Sequence, residues 1–120
     1  MNLKMCYQQL EGDYADVMSR LPKEEMVQRF IFKFLDEKSY DELNTAMQEH
    51  DYETAFRAAH TIKGICQNLS FTKLYRSSNQ LTEALRFKKY QEAKALFNAF
   101  SKDYMQNIST IQAYKNALEG

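Results

Sequence analysis

YETAFRAAHTIKGICQNL, residues 52–69, is the stretch that decides the fold. At about 100° per residue, Ala55, Ala59, Ile62, Cys66 and Leu69 line up at the three–four spacing of a buried helix face. His60 lies about 140° from the centre of that stripe, on the solvent shoulder of the helix. Phe56, Lys63, Gly64 and Gln67 share its side. A glycine inside a helix costs about 1 kcal/mol relative to alanine, so Gly64 needs a reason. Helical side chains lean toward the N-terminus, and the residue one turn on covers the surface over the residue before it. Gly64 has nothing to lean, and His60 is left approachable.

The same periodicity continues outward. Asp51 is the expected N-cap of this helix. Ahead of it, SYDELNTAMQEH (39–50) has Ser39 and Glu42 at capping-box spacing, with Leu43, Ala46 and Met47 inward. Behind it, Thr72 is the expected cap for KLYRSSNQLTEALR, whose Leu74, Leu81 and Leu85 point inward. The last helix is long and amphipathic through Ala93, Leu96, Phe97, Phe100, Tyr104, Ile108, Ile111 and Tyr114. Nearer the start, Gly12 reads as a helix stop, Asp13 as an N-cap and Pro22 as a first-turn residue. Met26, Phe30 and Phe34 then form an apolar face with Val27 or Leu35.

Four main helices over 39–50, 52–69, 72–87 and 90–117, joined by short connections, imply an all-α, up-and-down antiparallel four-helix bundle. Residues 1–36 are expected as additional N-terminal helices packed on it as a cap, within a single domain of 1–120. Three glycines and one proline in 120 residues support long helices over a turn-rich β fold.

Sixteen basic residues balance sixteen acidic ones, which argues against a nucleic-acid partner. The one basic cluster, Arg86–Lys89, suits a helix C-terminus. Cys6 and Cys66 match no metal spacing, and Cys66 falls on the apolar stripe as a small core residue. No apolar run reaches the roughly 20 residues of a membrane span, so no direct membrane contact is expected. Free thiols without a recognisable signal peptide point to the cytoplasm.

His60 and its neighbours also have a chemistry. A neutral imidazole nitrogen is a competent nucleophile. The Lys63 ammonium is a compact mobile charge suited to a phosphoryl group. No Gly-rich nucleotide loop, no carboxylate cluster for Mg²⁺ and no second metal ligand accompanies them. Such a chain could hold a phosphoryl group without taking one from ATP.

These residues resemble the histidine-containing phosphotransfer (HPt) domains of multistep phosphorelays. The family pattern stands here as Ala59, His60, Lys63, Gly64, Asn68, Leu69 and Ser70, and the helices on both sides agree over residues 39 to 87. The resemblance implies a phosphoryl carrier with no kinase activity, in which His60 is the phosphoacceptor and Lys63 supports the phosphoryl charge. Gly64 would clear the approach of a docking receiver, and Asn68 would be structural. Phe56, Ala59, Lys63, Gly64 and Gln67, with the edge of Ile62, would form the docking surface. Ser70 stands where the family usually has glycine. Thr82 stands where many members have a Gln or Glu that orients the imidazole, leaving Thr82 and Gln67 as the candidates for that bond.

The implied partners are response-regulator receiver domains, a hybrid sensor histidine kinase, or both. The receiver would carry the Mg²⁺, and this chain, a monomer, would need no cofactor or metal. It would work as a free protein or as the cytoplasmic domain of a membrane-bound hybrid kinase. Two other readings compete. One is a helical binding module that docks a receiver or helical partner without phosphotransfer. The other is a general-base enzyme, which needs a cleft beside His60.

Overall fold

In the computed structural model, which describes residues 1–120, seven helices follow one another without a strand. They are α1 (Leu3–Leu10), α2 (Tyr14–Arg20), α3 (Glu24–Phe34), α4 (Ser39–Gln48), α5 (Tyr52–Asn68), α6 (Thr72–Arg86) and α7 (Tyr90–Glu119). α4 packs on α5, α5 on α6 and α6 on α7.

Three connections share one design. Residues 49–51, 69–71 and 87–89 each reverse the chain through a left-handed residue: His50 (φ 57°), Ser70 (φ 57°) and Lys88 (φ 58°). Behind each, paired N–H groups close on the last helical turn. Asp51 N donates to Ala46 O at 2.9 Å, Phe71 N to Cys66 O at 3.0 Å and Lys89 N to Ala84 O at 2.8 Å. This is the Schellman motif, usually completed by glycine. Here it is made three times without one. Glu11 (φ 54°) ends α1 in the same way. Gly12 is therefore not the helix stop itself. It is needed for close approach, because a Cβ there would sit 2.8 Å from Ser70 O.

α7 has 30 residues against 15 in α6, so about half of its ~45 Å length extends beyond its neighbour. α4 lies antiparallel along the first half. Tyr40 stacks on Tyr104 at 4.4 Å and donates to Ser101 Oγ at 2.9 Å, while Met47 and His50 lie beside Lys94 and Phe97. α3 covers the second half, with Phe34 against Tyr104, Phe32 against Tyr114, and Gln28 Nε2 donating to the Tyr114 hydroxyl. α1 packs there too. α1 and α3, both from the segment expected as a cap, thus pack on α7. Tyr52 and Tyr90, the first residues of α5 and α7, stack at 4.0 Å and put both helix starts at one end.

Several local expectations shift. Asp13 and Asp51 cap as expected, accepting from Asp16 N and Thr54 N. Ser39 does not form the capping box with Glu42. Lys38 already has helical φ and ψ, so Ser39 is inside α4 and its N–H and hydroxyl both donate to Glu37 Oε1. Thr72 is likewise the first residue of α6, and Phe71 holds the N-cap position without a side-chain bond. Pro22 precedes α3 by two residues rather than opening it. The buried face of α3 is Val27, Ile31 and Phe34, with Met26, Phe30 and Leu35 on its shoulders. Along α7, Leu96, Phe97 and Ile108 are only partly buried, and Asn107 joins the core with its Nδ2 unpartnered.

Candidate functional site

Ala55, Ala59, Ile62, Cys66 and Leu69 are all buried, and His60 is exposed on the other side of α5. Burial pushes the Cys66 thiol up and keeps it protonated. The stripe drawn from the sequence is the one the fold uses. A Cβ added at Gly64 would meet nothing within 4 Å. The surface one turn beyond His60 is therefore open, and the glycine answers no packing need inside the molecule.

The Phe56 ring lies parallel to the imidazole at 7° and 5.9 Å between centroids. The Arg86 guanidinium sits over the Phe56 ring, 4.9 Å from its centroid. Glu83, on the same helix as Arg86, has both carboxylate oxygens 3.3 Å from Arg86 Nε. The same carboxylate is 3.8 Å from Lys63 Nζ. Only 19% of the Lys63 side chain is exposed, so this ammonium is held near the α5–α6 seam. Phe56, Lys63, Glu83 and Arg86 therefore link into a chain of contacts beside His60.

Three site expectations need correction. Ala59 and Ile62 are fully buried and present nothing to a docking partner. That side of α5 exposes His60, Gly64 and Gln67, with Phe56 and Lys63 half-buried between them. Thr82 is also fully enclosed, and its hydroxyl donates to Ser78 O at 2.7 Å within its own helix. It does not orient the imidazole. Gln67 is two turns, about 10 Å along the axis, from His60, and lines a notch with Asp16, Ser70 and Tyr75. It shares the face but not the reach.

The far end of α5 is closed by residues with no signal in the local pattern. Arg20 Nη2 donates to Asn68 O at 2.7 Å, to Gln67 O at 3.2 Å and to Ser70 Oγ at 2.6 Å. A cation on these last carbonyls complements the negative end of the helix dipole. Asp16 Oδ2 accepts from Ser70 Oγ and from Arg20 Nη1, both at 2.7 Å. The Ser70 bond, then the Arg20 bond, holds the Asp16 carboxyl below its ordinary range. Tyr7 and Asp13 complete the junction, donating to Leu69 O and Ser70 O. Asn68 contributes its backbone carbonyl here.

His60 lines none of the five surface concavities defined by Phe30–Leu69, Asp41–Thr54, Asn44–Asn98, Asp16–Tyr75 and Gln80–Leu96. No three His, Cys, Asp or Glu side chains converge to hold a metal ion. No helix is long and apolar enough to cross a membrane. What the geometry offers is one exposed nucleophile, a nearby cation and an unobstructed approach.

A family model described as Hpt domain matches residues 25–116. It leaves out α1 and α2 but takes in α3, which the sequence pattern had grouped with the cap. No curated protein and no solved structure matches the chain.

Proposed function

The chain belongs to the Hpt domain family, and from that premise we propose that His60 carries a phosphoryl group between receiver aspartates in a two-component phosphorelay. The observation that supports this most directly is the exposed His60 with open space at Gly64, one turn along the same face. A bulky partner can reach the imidazole there.

The transfer is an in-line displacement. A ring nitrogen's lone pair forms the N–P bond as the phosphorus–oxygen bond of the aspartyl phosphate breaks. The aspartate leaves as a carboxylate, and the other ring nitrogen keeps its proton. The onward step runs in reverse to a second aspartate. Positioning and charge neutralisation are the protein's main contributions. Mg²⁺ belongs to the receiver in this scheme, and this chain supplies the nucleophile and Lys63 without kinase activity of its own.

The fold fits that role as a single domain over 1–120, with α4–α7 as the up-and-down antiparallel bundle and α1–α2 as an addition to it. The proposed partners are receiver domains, a hybrid sensor histidine kinase, or both. The protein would act as a monomer in the cytoplasm.

The test is incubation with a phosphorylated receiver, followed by assay for acid-labile, alkali-stable phosphate. Native protein and His50→Gln should label, and His60→Gln should not. Equal labelling of His60→Gln would overturn the assignment. Receiver binding without labelling of the native protein would leave the binding-module function instead.

A further inference from the structure

The charges on the His60 side of α5 are tied together across the α5–α6 seam. Lys63 and Arg86 both rest on Glu83, at 3.8 Å and 3.3 Å. Arg86 is also over Phe56, whose ring lies parallel to the imidazole. A single carboxylate thus holds two cations beside the proposed phosphoacceptor. It does so from α6, the helix where Thr82 had been the candidate partner for the imidazole.

We propose that Glu83 is the resident counter-ion of this site. While His60 is unmodified, its carboxylate holds Lys63 and Arg86 in place and balances their charge. Once His60 carries a phosphoryl group, that group brings close to two negative charges onto the same face. It then competes with Glu83 for the two cations, and the displaced carboxylate becomes a like charge near the phosphoryl oxygens. Glu83 therefore keeps phosphohistidine from being too stable and favours onward transfer. Glu83 acts through Lys63 and Arg86, which makes it a positioning residue. This rests on His60 being the phosphoacceptor.

The lifetime of the N–P bond reads the effect. Loss of the phosphoryl group passes through a loose transition state. Cations bound to the phosphoryl oxygens stabilise the ground state more and slow that loss. Phosphoramidate serves as donor in the absence of any receiver: the imidazole nitrogen displaces ammonia from phosphorus. Hydrolysis of the labelled full-length chain is then followed by ³¹P NMR.

Glu83→Gln should lengthen the phosphohistidine lifetime by about two- to fivefold at low salt, as expected for an exposed pair. The gain should shrink in 1 M salt, where screening is strong. Glu83→Asp, which keeps the charge, should remain near native. In a Lys63→Met, Arg86→Met background, the Glu83→Gln gain should largely disappear. An unchanged lifetime in Glu83→Gln, or a gain that persists without the two cations, would overturn the proposal. Equal phosphoramidate labelling of His60→Gln would instead locate the failure in the assignment of His60.

Discussion

Arg20 donates to Ser70 Oγ at 2.6 Å, joining α2 to the exit of the helix that carries His60 across fifty residues of chain. Ser70 is left-handed at φ 57°, a backbone that favours glycine. Its hydroxyl offsets that cost by accepting from Arg20 and donating to Asp16. Here the family's usual glycine has been exchanged for a polar tie to the N-terminal helices.

Ser70 substitutions should therefore rank in a particular order. Ser70→Ala keeps the strained backbone and loses both bonds, at a predicted cost of about 1–3 kcal/mol. Ser70→Gly loses the same bonds but relieves the backbone, by about 1 kcal/mol, and should fall between native and Ser70→Ala. Urea unfolding midpoints measure the order. Ser70→Gly at or above native stability would mean that the hydroxyl contributes nothing.

The same junction should give an acid-dependent stability. The bonds from Ser70 and then Arg20 hold the Asp16 carboxyl below its ordinary range. A lowered folded-state pKa contributes stability above the unfolded value near 3.9, and that contribution fades as pH falls through the folded value. The gap in urea midpoint between native and Asp16→Asn should be full at pH 6 and narrow below about pH 4. Asp51, lowered by its bonds to Thr54, is present in both proteins and cancels. A gap independent of pH would assign the effect to something other than the Asp16 charge.

Gly64 should separate folding from function. Because a Cβ there meets nothing within 4 Å, Gly64→Ala should raise stability by up to about 1 kcal/mol. Gly64→Gln should leave the fold intact and slow receiver-to-His60 transfer by about tenfold or more. Stopped labelling time courses measure this. Near-native transfer in Gly64→Gln would remove the clearance argument.

Thr82 should matter to packing alone. Thr82→Val removes one bond to Ser78 O within α6 and should leave the His60 labelling rate within about twofold and stability within about 1 kcal/mol. Thr82→Gln, which restores the family's usual residue type, overfills an enclosed position and should destabilise by about 1–3 kcal/mol. A tenfold loss of labelling in a well-folded Thr82→Val would show that the threonine acts on the imidazole.

The helices and the side of α5 on which His60 lies were legible in the sequence, because both follow from spacing along one chain segment. A stripe at three–four spacing buries the same residues whatever it packs against, and Gly64 is identifiable because it lies on the opposite face. The caps at Asp13 and Asp51 were legible for the same local reason. The left-handed helix exits at His50, Ser70 and Lys88 were not, since no glycine marks them and the turn is decided by how closely the next helix must fold back.

The α6 residues that meet the His60 side of α5 depended on packing. One residue along a helix is about 100° of rotation, so Thr82 and Glu83 cannot both face α5's outer side. Only the docking of α6 decided that Thr82 is enclosed and Glu83 meets Lys63. The Asp16–Arg20–Ser70 junction lies further still from any local pattern. The sequence by itself determined seven helical segments in outline and an exposed histidine on the outer side of α5. The tertiary structure decided which charges surround it and what holds the end of its helix, because those contacts join residues that only packing brings within hydrogen-bonding distance.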